Sequence, residues 1–139
     1  MSRLSRRTVF AILAALALPR SGAAAQFNPD WNATPLRLMM ITEPACLFCR
    51  AWRAEIGPGF AASPIGRAAP LFEVDLNGPY PDGLALARRP RLTPSFILLH
   101  KGTEVGRIEG YVGQQHFYPA LEQMMSQAGF DSTGKEIQR

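Results

Sequence analysis

The sequence predicts one α/β domain, a mixed central sheet flanked by helices, on three observations. An apolar run of strand length, Leu36 to Thr42, leads into a segment with helical spacing, and a second apolar run follows at 70–76. Strand, helix and strand at this spacing indicate a parallel pair joined by a right-handed crossover. Two later runs, on either side of Lys101-Gly102-Thr103, read as an antiparallel hairpin. A chain of 139 residues holds one domain with a real core, not two independent ones.

Each element has its own warrant. Residues 26–35 are polar and broken by Pro29 and Pro35, so they read as an N-terminal extension lying on or off a domain that spans 36–130. Leu36 to Thr42 is too short for a helix and ends at Glu43-Pro44, which makes it a buried central strand. From Cys46, apolar positions at Phe48, Cys49, Trp52 and Ile56 recur at helical spacing, and Gly57-Pro58-Gly59 is expected to stop that helix. A loop with Pro64 and Gly66 precedes the second strand. Residues 77–83 are dense in turn formers, and one or two helical turns are expected from Leu84 to Arg89. Ser95 to His100 and Glu104 to Tyr111 form the hairpin. Phe117, Leu121, Met124 and Met125 space a closing amphipathic helix over about 114–128, and the polar tail 131–139 is expected to fray.

The net charge of +4 would suggest a nucleic-acid partner, but its placement argues against one. Arg3, Arg6, Arg7 and Arg20 lie in the first 25 residues with no acid, and the remaining eleven bases are matched by eleven acids. The chain beyond is neutral, so no nucleic-acid partner is expected. Three arginines, the apolar run Val9 to Leu18 and the small residues Ala23-Ala24-Ala25 form a signal-peptide pattern cleaved after about Ala25. The run falls well short of the roughly 20 residues that span a bilayer. Ser5-Arg6-Arg7-Thr8-Val9-Phe10 resembles the twin-arginine export motif, against the alternative of a general secretory signal that contains Arg-Arg. The expected location is the periplasm.

That destination bears on the two cysteines of the chain, Cys46 and Cys49. A disulfide across two intervening residues restrains the unfolded chain very little, so the pair is better explained by chemistry than by stapling. A thiol attacks only as its thiolate, and an ordinary cysteine with a pKa of about 8.5 is mostly protonated at neutral pH. Unpaired N–H groups and the macrodipole of a first helical turn favour the anion. Cys46 is therefore the expected nucleophile and Cys49, one turn inside, the expected resolving thiol. Inert thiols and half of a metal site are the alternatives; with no second Cys-x-x-Cys and with His100 and His116 far off in sequence, no metal site and no cofactor are assigned.

The order of elements, Cys-x-x-Cys at a helix start, Thr93-Pro94 at the head of the next long strand, and Gly102 and Gly110 flanking the last one together resemble the thioredoxin family over most of Leu36 to Gly129. Within it, Glu55-Ile56-Gly57-Pro58, Ala69-Pro70-Leu71, Val74-Asp75 and 106–111 look most similar to the small exported thioredoxins of bacterial sulfur-oxidation (Sox) systems. The resemblance implies the thioredoxin fold and a cis peptide bond at Pro94 beside the dithiol, against a plain trans proline at a strand start. It also shows two departures. Met40 stands where the family keeps a buried acid, and Ala45 stands where it keeps a tryptophan.

Around the dithiol, the backbone at Thr93 and Pro94 can pair with an extended substrate. Glu43, the nearest acid, either accepts a proton from Cys49 or raises the dithiol pKa, or else is a solvated loop residue. Leu47 and Phe48, with Gly110 and Tyr111, form a docking patch, unless Phe48 is core. Trp52 reads as core, the two histidines as surface or capping residues, and Arg50 and Arg53 as a solvated helix face. The expected function is a monomeric exported thiol-disulfide oxidoreductase. It reduces a cysteine-containing periplasmic protein, the sulfur carrier if the Sox resemblance holds, with electrons from a membrane dithiol donor. Competing readings are an oxidant or isomerase, a cytochrome c maturation reductase, and a copper-binding chaperone using the two sulfurs. The first two often carry dimerisation modules or insertions for which this chain has little room.

Overall fold

The computed structural model describes residues 26–138, so the signal-peptide reading of 1–25 lies outside the described residues. The elements run β1 (Leu36–Thr42), α1 (Leu47–Glu55), α2 (Gly57–Phe60), α3 (Pro64–Ala68), β2 (Leu71–Asp75), β3 (Ser95–His100), β4 (Thr103–Glu109) and α4 (Gln114–Gln127). The sheet order is β2-β1-β3-β4. β1 runs parallel to β2, with Met40 opposite Glu73, and antiparallel to β3, with Met40 opposite Phe96. β3 and β4 form the hairpin, whose register shifts by one residue between Leu98 and Leu99.

Alternation along β1 divides the core in two, as the period of a strand requires. Leu36, Leu38 and Met40 point into the cluster that contains Cys49, Trp52, Phe96, Phe117 and Leu121, the face covered by helices. Met39 and Ile41 point the other way, to Phe72, Val74, Ile97 and Leu99. Among the described residues no helix covers that second face. The extension does so instead: Phe27 and Trp31 pack on Phe72 at 5.1 and 6.3 Å between ring centroids, and the Trp31 indole N–H donates to the Asp82 carbonyl at 3.0 Å.

Several connections differ from expectation. Gly57-Pro58-Gly59 does end α1, but Pro58 also sits in the first turn of α2, where its missing N–H costs nothing. Residues 64–68, expected as loop, form α3, capped by Ser63 Oγ accepting from the Gly66 N–H at 3.0 Å. The turns expected at 84–89 are not helical. Ala85 instead makes an isolated parallel bridge with Thr103, and Leu84 and Leu86 pack on the second cluster. The tail does not fray either: Phe130 bridges to Glu136, and the Ile137 N–H donates to Gly129 O at 2.8 Å.

Candidate active site

Residues 47–55 contain no β-branched residue, glycine or proline, so the helix of α1 starts without local conflict once it is capped. Cys46 is that cap. Its backbone is extended (φ −74°, ψ 105°), and its Sγ accepts the Cys49 N–H at 3.0 Å. A sulfur atom thus occupies the place that a Ser or Asp oxygen usually takes at a helix start. The two cysteines form a disulfide, the oxidised state of the pair, with Cα atoms 5.2 Å apart. Cys46 retains 7% exposure and Cys49 none. The outer sulfur is therefore the one a partner can approach.

Beneath the pair the surroundings are apolar. Met40, at the position of the family's buried acid, is fully enclosed in the same cluster as Cys46, Cys49, Phe96 and Tyr111. Trp52 is 2% exposed and packs on Phe60, Phe96 and Phe117 at 5.9, 5.5 and 5.7 Å. It is core, as its spacing indicated.

Glu43 is neither free in solvent nor bonded to Cys49. It is half-buried, and its Oε1 accepts the Thr93 hydroxyl at 2.7 Å. The Thr93-Pro94 peptide bond is cis, as the resemblance implied; the Gly78-Pro79 bond is also cis, which the sequence did not announce. Pro94 O accepts the Gly110 N–H at 2.7 Å, so Gly110 is joined to the Pro94 loop.

Leu47 and Phe48 are exposed at 67% and 61%, which places Phe48 on the rim and not in the core. Tyr111 is corrected as a rim residue. Its ring is buried against Phe117, and its hydroxyl donates to Glu55. The exposed apolar residue at that corner is its neighbour Val112. Phe48, Ala51, Glu55, Tyr111, Val112 and Gly113 line a groove of about 400 Å³ beside the motif. Sequence reasoning missed Val112 and Leu92, also exposed, although each adjoins a residue it had singled out. Arg50 and Arg53 are both exposed as expected, and Arg53 is also held by both Glu73 oxygens at 2.9 and 2.7 Å. His100 packs edge-on against Phe130, and His116 lies beside Gln115 at the surface. Among the described residues, no three His, Cys, Asp or Glu side chains come together as a metal site would need.

This arrangement supports thiol-disulfide exchange, with an outer sulfur at a helix start, an enclosed second sulfur and an apolar rim. The chain matches the periplasmic thioredoxin SoxS from Paracoccus pantotrophus, in its reduced form, at 44% identity and a TM-score of 0.65, covering 67% of this chain and 98% of that one. A thioredoxin from Malassezia sympodialis matches at 16% identity and a TM-score of 0.44, covering 66% of this chain and 76% of that one. No protein-family model matches, and neither does any curated protein sequence. The expected thioredoxin fold is thus present, and this chain belongs to the thioredoxin family as a thiol-disulfide oxidoreductase similar to the Sox thioredoxins.

Proposed function

We propose that the protein works in the periplasm as a reductase of a partner protein's cysteine adduct or disulfide, the partner being the sulfur-carrier cysteine protein of a Sox system. The observation that carries this reading is the 44% identity to a periplasmic thioredoxin along almost its whole length. The Cys46 thiolate attacks the partner's disulfide, forms a mixed disulfide and displaces one thiolate. Cys49, as its thiolate, then attacks Cys46 Sγ, closes the intramolecular disulfide and releases the partner's second sulfur as thiolate. Two electrons pass from the dithiol to the partner, and a membrane dithiol donor restores them. Leu47 and Phe48 serve as an apolar docking rim, and the backbone at Thr93 takes an extended partner segment edge-on.

Trapping tests the reading. With Cys49→Ser, Cys46 is expected to hold its partner as a stable mixed disulfide that mass spectrometry identifies. Loss of disulfide reduction in Cys46→Ser, with excess dithiothreitol as donor, is the companion result; retention of activity there overturns the mechanism. A reduction potential near thioredoxin's, about −270 mV, supports a reductase, and one near about −120 mV makes the protein an oxidant.

A further inference from the structure

We infer that Glu43 is a positioning residue that acts through Thr93, holding the docking edge in register with the attacking sulfur. The inference rests on the exchange reaction proposed above and concerns how the partner is presented to it.

Two loops must keep a fixed relation during exchange, 43–46, which carries Cys46, and 91–94, which carries the docking edge. The second loop is tied within its own hairpin by Ser95 Oγ donating to Leu92 O and by the Gly110 N–H donating to Pro94 O, each at 2.7 Å. Neither bond reaches the loop of Cys46. Among the described residues, the Thr93 hydroxyl to Glu43 Oε1 bond is the only hydrogen bond between the two loops, and it joins residues 50 apart in sequence. Glu43 is fixed from the other side, since its carbonyl accepts the Cys46 N–H at 3.2 Å. A short chain of bonds thus runs from the Cys46 backbone through Glu43 to Thr93.

The backbone of Thr93 is not used by the fold: among the described residues its N–H and carbonyl have no backbone partner. Those groups are the ones an incoming extended segment pairs with. Carboxylate and hydroxyl at 2.7 Å have the length of a charge-assisted bond, so the side chain of the half-buried Thr93 is held in one orientation while its backbone groups stay unpaired. A mixed disulfide forms only from a docked partner, and a docking edge that shifts relative to the loop of Cys46 holds that partner less tightly. Glu43 serves this role without proton transfer to Cys49, which distinguishes it from an acid-base group.

The test uses the reduced full mature protein and a disulfide-bonded peptide long enough to lie along the loop. Thr93→Val keeps the shape of the side chain and removes the donor; KM for the peptide is expected to rise several-fold while kcat stays within about twofold, since binding that is equal in ground and transition states moves KM alone. Thr93→Ser, which keeps the donor, restores KM. Glu43→Ala matches Thr93→Val, and the double variant is no worse than either single one, as a shared bond requires. An unchanged KM in Thr93→Val, failure of Thr93→Ser to restore it, or additive effects in the double variant overturns the inference. Retained activity in Cys46→Ser would sink the exchange mechanism separately, so the two failures are told apart.

Discussion

Tyr111 donates its phenolic hydrogen to the Glu55 carboxylate, joining the segment after β4 to the last turn of α1. Burial, and after it the bond to Glu55, pushes the Tyr111 pKa up to about 12 from an ordinary value of 10.0. The folded protein therefore keeps a proton that the unfolded chain has released across this window. The stabilisation is fully present below pH 10.0 and is lost as pH rises toward about 12. Denaturant midpoints are expected to fall between about pH 9 and about pH 11, a fall that Tyr111→Phe makes smaller. At neutral pH that variant costs about 1 kcal/mol, the worth of one hydrogen bond. An equal alkaline loss in both proteins would remove Tyr111 as its source.

Glu104 and Arg107 form a buried ion pair with side-chain exposures of 6% and 5%. Burial alone would raise the Glu104 carboxyl, but the Arg107 guanidinium and the Ala87 N–H outweigh it and hold the pKa below the ordinary 4.5. Stability from this group is present above that value and is lost as pH falls through the lower folded pKa. Arg107→Ala leaves Glu104 enclosed without its cation and is expected to cost about 3–5 kcal/mol. Replacing both partners by apolar residues should cost much less. Urea unfolding of the single and double variants decides this, and equal losses would mean that the loop contacts matter, not the stranded charge.

Reduced Cys46 should titrate below about 8.5, because its sulfur sits where the Cys49 N–H and the start of α1 meet it. The rate of alkylation against pH reports this directly. An inflection at or above the ordinary thiol value would show that the helix start does not stabilise the thiolate.

Met40→Asp reinstates the acid that the thioredoxin family keeps in the strand before the dithiol. Here the position is fully buried among apolar side chains. The substitution is expected to cost about 3 kcal/mol or more through lost packing and an unpaired buried carboxyl. Met40→Leu should cost less than about 1.5 kcal/mol. Thermal unfolding distinguishes them; a well-tolerated Asp would reveal a polar partner or water path beside Cys49.

What could be read from the sequence follows what is local. β1, the hairpin, α1 and α4 show in hydrophobic period and turn residues alone. The short helix α3 did not, because Gly66 resembles a loop glycine; its reason is tertiary, since a Cβ there would meet the Phe60 carbonyl at 1.8 Å. Leu84-Ala85-Leu86-Ala87 is a good helical sequence, yet the apolar face of the sheet that no helix covers draws Leu84 and Leu86 down and Ala85 into a bridge with Thr103. At the site, Cys46 and Cys49 were legible from spacing. The Glu43–Thr93 bond was not, since nothing local links residues so far apart. Tyr111 was misplaced for a related reason, because an aromatic beside a glycine looks exposed until Phe117 and Glu55 arrive to cover it.

The one-residue register shift in the hairpin decides which way two charges point. Residues three apart in an uninterrupted strand face opposite sides of a sheet. Leu98 pairs with Gly106 and Leu99 with Glu104, so Val105 is surplus, and the count along β4 changes parity at that point. Glu104 then shares the side of Arg107, in line with Leu99 and Ile97, where both reach Ala87 and Arg88 and anchor that crossing segment. Chain length, not composition, is what β4 must conserve here. Deleting Val105 would leave every charged residue present and still turn Glu104 away from its partner.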